Sequence, residues 1–245
     1  MATNASEHHA ERIIDVIHRV SKDGGTVVSC EFFPARTTAG VTALLRRVEE
    51  TVHLLRPHFV AITWRAQFKD EELWLDIGSQ IQRNLGVPVL MHLTCHRPVA
   101  DIRRILGRCK ERGLRNILAL RGDPPVGAVS WCPTHGGLLH AKELVELIRK
   151  EHGDFFCIAV AGYPEVHLEA HNSPELPPSQ QARGLDLDRL RAKCAAGADF
   201  VVTQFFFDSG LLLRFIEAAK TAGVVVPIIP GYMPIQTYEG RSADG

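Results

Sequence analysis

VPVLMHLTCHRPVADIRRILGRCKERGLRNILALR, residues 87–121, carries the fold in miniature. Val87–Cys95 is a nearly continuous apolar run, too short for a helix, and reads as a strand buried on both faces. Val99–Arg112 then sets Ile102, Ile105, Leu106 and Cys109 along one helical stripe and stops before Gly113, a usual residue for a left-handed stop. Asn116–Arg121 reads as the next strand. A strand, a crossover helix and a strand in this order make a parallel βαβ unit.

The same unit recurs on both sides. Strands are expected at Val27–Phe33, Phe59–Trp64, Cys157–Tyr163, Phe200–Phe207 and Val225–Met233. The helices between them are Thr38–Leu55, Glu71–Leu85, Leu138–Glu151, Asp186–Ala196 and Gly210–Ala222. Strict alternation leaves a doubly wound sheet or a (βα)8 barrel. No GxGxxG follows an early strand, so the reading favours the α/β TIM-type barrel, whose chemistry lies at the C-terminal ends of the strands. Seven βα units are legible, which predicts an incomplete barrel lacking its eighth strand. Residues 1–26 read as an N-terminal helical extension, with a helix at Glu11–Val20 packed under the barrel. Residues 27–238 form the barrel and 239–245 a short polar tail. The polar, Pro-rich Ala170–Gly184 and the segment Val126–Gly137 read as long loops on the catalytic face.

Composition narrows the function classes. The chain has 245 residues, 45% hydrophobic and 23% charged, with 28 Lys+Arg against 28 Asp+Glu. That balance gives no electrostatic reason to expect nucleic acid or an anionic membrane as partner. No apolar run approaches the roughly 20 residues of a membrane helix. The start has no apolar signal core and is poor in Arg, so a cytoplasmic location is expected. The six cysteines show no CxxC pair, and no metal site is expected.

Polar residues at strand ends are the candidate site. Glu31, between Cys30 and Phe32-Phe33, is a candidate general acid if burial raises its pKa; the alternative is an ion pair with a nearby Arg. Asp123 beside Arg121 reads equally as a functional carboxylate or an ion pair. Gln204 in VVTQFFF needs partners for its amide if buried, and suits two-point recognition of a heterocycle. His92 in VLMHLTC reads as a core histidine before a ligand. The Phe205–Phe207 run reads mostly as core.

CEFFPART, ITW, MHLTC, NILALRGDPP, VAGYPEVHLEA, AGADFVVTQFFFD and PIIPGYMPIQ, in this order, resemble the methylenetetrahydrofolate reductase family over residues 27–238. The resemblance implies a barrel that binds FAD, takes a hydride from NAD(P)H and reduces 5,10-methylenetetrahydrofolate to 5-methyltetrahydrofolate. It implies that Glu31 protonates N10 of the folate, and that Asp123 stabilises the resulting cation and lies against both the flavin and the pterin of the substrate. It implies that Gln204 contacts the pterin and the nicotinamide. Thr63, Trp64, His92, Arg121, Gly122, Ala141, Tyr163, His167, Glu169, Ala170, Asp186 and Lys193 match positions that hold FAD. His140 stands before Ala141 where relatives often carry Tyr. The partners implied are a small folate substrate and either a homo-oligomer or a full-length relative. A truncated, non-catalytic isoform is the alternative reading.

Overall fold

The computed structural model describes residues 10–35, 37–64, 71–122, 132–165, 167 and 184–234. Helices and strands alternate through them. They are α1 (Ile13–Lys22), β1 (Ser29–Phe32), α2 (Thr38–Leu55), β2 (Phe59–Ile62), α3 (Glu71–Leu85), β3 (Val89–Thr94) and α4 (Val99–Glu111). There follow β4 (Asn116–Leu120), α5 (Ala141–His152), β5 (Cys157–Gly162), α6 (Gly184–Ala195), β6 (Phe200–Thr203), α7 (Ser209–Thr221) and β7 (Ile228–Ile229). All seven strands pair in parallel in sequence order, β1 to β7.

The two-residue period of a strand sorts its side chains between two cores. Val60, Ile62, Met91, Leu93, Ile117, Ile158, Val160 and Val201 pack outward against the helices. Phe59, Ala61, Leu90, Leu118, Cys157, Ala159 and Phe200 meet in a second cluster on the inner face. Phe59 on β2 and Phe200 on β6 have ring centroids 6.4 Å apart. Four strand steps in a flat sheet would separate them by about 19 Å, so the sheet is curled into an incomplete TIM-type barrel, as the βα alternation predicts. Among the described residues β1 and β7 are its two edges.

The expected N-terminal helix lies under this barrel. Ile13, Ile14 and Ile17 of α1 complete the inner cluster. Arg12, at the N-cap, makes no side-chain cap bond of its own, so the barrel supplies the partners. Asn116, fully buried on β4, accepts the Ile13 N–H at 2.8 Å and donates to the Glu11 carbonyl at 3.2 Å. Cys157 Sγ accepts the Ile14 N–H at 3.4 Å. Asp199 Oδ1 accepts from Arg12 at 3.1 Å, and Oδ2 accepts from Arg149 and from the Ile158 N–H, both at 2.6 Å. Asn116→Leu strands a buried amide donor and a carbonyl together. It is expected to lower the unfolding free energy by about 3 kcal/mol in urea titration, and a loss below about 1 kcal/mol would contradict this capping role.

Several boundaries differ from the sequence expectation. The expected strands Val27–Phe33, Phe200–Phe207 and Val225–Met233 shorten to four, four and two residues. Apolar sequence runs past the end of the hydrogen-bonded ladder onto the rim. Phe205–Phe207 is therefore not core: Phe205 and Phe206 are half-buried and Phe207 is 52% exposed. Helix α5 starts at Ala141, not Leu138, because Leu138 N–H bonds the Cys95 carbonyl and Leu139 N–H bonds the Glu143 carboxylate. Helix α6 starts at Gly184, two residues before the expected Asp186.

Candidate active site

The C-terminal ends of the strands gather the polar side chains. Val27 packs against the inner cluster, so Glu31, four residues on, shares its face. Thr63, Thr94, Tyr163 and Gln204 stand on the same face of their strands, above Ala61, Leu90, Ala159 and Phe200. Thr63 Oγ1 donates to Glu31 Oε1 at 2.8 Å, across the β1–β2 pair. This bond orients the carboxyl group.

Two expectations about burial are corrected. Glu31 is solvent-exposed. Its apolar neighbours Cys30 and Phe32 project to the opposite face, and Phe33 is itself 58% exposed, so they do not desolvate it. Gln204 is also exposed. Its Oε1 accepts the Phe205 N–H at 3.1 Å, and its backbone N–H bonds the Gly162 carbonyl at 2.8 Å.

His92 is buried on the inner face and its Nε2 has no hydrogen-bond partner among the described residues. Burial pulls its pKa down, opposed by the Glu31 charge. Thr94 Oγ1, one pleat higher, is also buried and unpartnered there. Gly122 passes close above it with φ +92°, and a Cβ at that position would lie 3.1 Å from the Thr94 methyl. A left-handed backbone and this close approach both require glycine. Trp64 goes elsewhere. It is buried in the outer core, edge-on to Trp74 at 4.8 Å and under the Arg97 guanidinium.

A cavity of about 170 Å³ straddles the ends of β4 and β5. Arg121, His140, Ala141, Tyr163, His167, Asp186 and Lys193 all line it, drawn from four separate segments. Lys142 and Arg189 line it too, although the sequence reading did not select them. Asp186 is buried and its Oδ2 accepts the His167 N–H at 2.7 Å. The Tyr163 and His167 rings meet edge-on at 4.8 Å. Lys193 Nζ donates to the Ala161 carbonyl at 2.6 Å. Walls with Arg121, Lys142, Arg189 and Lys193 against one carboxylate, over an alanine and leucine floor, suit an anionic group joined to a flat apolar one. The Pro98↔Gly137 bridge pins the loop before α5 to the β3–α4 loop. Thr134 N–H and Val99 N–H add bonds to the His96 and Gly136 carbonyls, and so fix His140 and Ala141 at the cavity. Asp123, Glu169 and Ala170 lie outside the described residues.

Burial pushes the Lys193 ammonium down to about 8 from 10.5. Between those values the unfolded chain holds a proton that the folded chain has released, so stability rises as pH goes from 8 to 10. Lys193→Met is expected to flatten that rise in denaturant titrations at pH 7.5 and 9.5. An unchanged slope would place the amine in water.

The family model and the curated relatives agree on one family. The family model described as methylenetetrahydrofolate reductase matches residues 16–242. A rice protein named probable methylenetetrahydrofolate reductase (NADH), from Oryza sativa subsp. japonica, is 40% identical over 230 residues, covering 94% of this chain and 38% of its own length. A Caenorhabditis elegans protein named probable methylenetetrahydrofolate reductase (NADPH) is 37% identical over 240 residues, covering 96% and 34%. The chain thus spans under two-fifths of either relative. The crystal structure of an oxaloacetate acetylhydrolase superposes with a TM-score of 0.56 at 13% identity, covering 94% of this chain and 75% of that one; it speaks for the fold alone. No helix among the described residues is long and apolar enough to cross a membrane.

Proposed function

Because the chain belongs to the methylenetetrahydrofolate reductase family, we propose that it binds FAD at the rim cavity and reduces 5,10-methylenetetrahydrofolate to 5-methyltetrahydrofolate with NAD(P)H. The observation that carries this reading is the convergence of Arg121, His140, Ala141, Tyr163, His167, Asp186 and Lys193 on one cavity. The residues fit the group. The cationic wall suits the diphosphate, and the buried His92 Nε2 and Thr94 Oγ1, unpartnered among the described residues, lie on the inner face beneath the rim. FAD bound there supplies two-electron transfer between the nicotinamide donor and the folate.

The chain's own residues supply placement and protons. Arg121, Arg189 and Lys193 hold the anionic centre, and Asp186 holds the His167 backbone in place. Glu31, oriented by Thr63, carries the proton that goes to N10 of the folate and opens the five-membered ring to a cation at N5. Asp123 provides negative charge near that cation. Gln204 offers its Nε2 donor to the pterin edge and, in the other half-reaction, to the nicotinamide.

The experiment is an assay of the purified chain with FAD, NADH or NADPH, and methylenetetrahydrofolate. Formation of 5-methyltetrahydrofolate supports the proposal. A folded chain that forms none, yet co-elutes with a longer relative on size exclusion, would instead favour a non-catalytic subunit.

A further inference from the structure

We infer that Glu165 is a positioning residue, whose carboxylate fixes the rim segment Gln204–Phe207 and thereby places the Gln204 side chain. The inference rests on the substrate contact proposed for Gln204. Glu165 lies in the turn after β5 and is half-buried. Its Oε1 accepts the Phe207 N–H at 2.9 Å, across 42 residues of sequence.

Among the described residues the segment that it holds has few other hydrogen bonds. Strand β6 ends at Thr203 and α7 begins at Ser209. One end of the intervening stretch is tied by Gln204 N–H to the Gly162 carbonyl. The other end is tied by Asp208, whose Oδ1 accepts the Gly210 N–H at 2.7 Å. Between them the Phe205 and Phe207 rings meet edge-on at 5.7 Å, so holding the Phe207 backbone helps to hold Phe205. The Phe205 N–H in turn holds Gln204 Oε1, which turns the amide so that Nε2 is the free donor end. Glu165 thus acts on Gln204 through a short chain of contacts. Its turn follows Tyr163, which lines the cofactor cavity, but Glu165 is not itself among the cavity's lining residues.

The test compares Glu165→Ala with Glu165→Gln in the full chain. The glutamine amide oxygen can still accept from Phe207, whereas alanine cannot. In Glu165→Ala the KM for methylenetetrahydrofolate is expected to rise about tenfold, the loss of one hydrogen bond to a charged group, with flavin content unchanged. Glu165→Gln is expected to restore KM to within about threefold of the parent, the remainder being the lost charge. Amide exchange at Phe207 is expected to quicken in the alanine variant only. An unchanged KM in Glu165→Ala, or an equal rise in both variants, would overturn the positioning role. If the parent chain reduces no folate, the proposed function fails separately, and the exchange measurement decides: an unchanged Phe207 rate in Glu165→Ala overturns the inference.

Discussion

Glu31→Gln is expected to lose methylenetetrahydrofolate reduction by about a thousandfold, within the range for removing a general acid, while FAD bound to the variant is still reduced by NAD(P)H. The amide keeps the oxygen that accepts from Thr63 at 2.8 Å, so geometry is preserved and only the transferable proton is removed. Glu31 is exposed in the chain by itself, and its function as an acid requires water to be excluded at the mouth when substrate binds. Stopped-flow spectra of the two half-reactions separate the effects. Equal slowing of both would contradict the assignment, because the donor half-reaction has no N10 to protonate.

Asp199→Ala is expected to destabilise the fold by about 3 kcal/mol or more, the usual cost of breaking a largely buried ion pair. The carboxylate serves two guanidinium groups and one backbone amide at once. Its side chain is 16% exposed, with Arg149 at 17% and Arg12 at 25%. Removing it leaves two largely buried guanidinium groups without their carboxylate and takes away one of the ties between α1 and the barrel floor. Urea titration reads the loss. A change below about 1 kcal/mol would mean that solvent already screens the cluster.

The architecture was legible because both periods are strong in this chain. The outward set Val60, Ile62 and the inward set Phe59, Ala61 alternate strictly on β2, and the α4 stripe Ile102, Ile105, Leu106, Cys109 is buried throughout. The same alternation holds signals that the sequence reading left unused. Trp64 continues the outward parity of Val60 and Ile62, which is why it lies under α3 and not at the cavity. The apolar chain neighbours of Glu31 carry no information on its burial, because in a strand they point to the other face. Arg189 was recoverable from helical spacing, since Asp186, Arg189 and Lys193 recur at three and four residues along α6. The floor was not recoverable at all. Nothing local couples Asn116 to Ile13 across 103 residues, or Arg12 to Asp199 across 187, because those bonds exist only once the sheet has curled.

The visible absorption spectrum of the purified chain, after incubation with FAD and removal of free cofactor, tests the central proposal most directly. Stoichiometric flavin bands are predicted, bleached by NAD(P)H and regained on adding methylenetetrahydrofolate, and reduced in Lys193→Met. A folded chain that passes the column colourless would contradict the account.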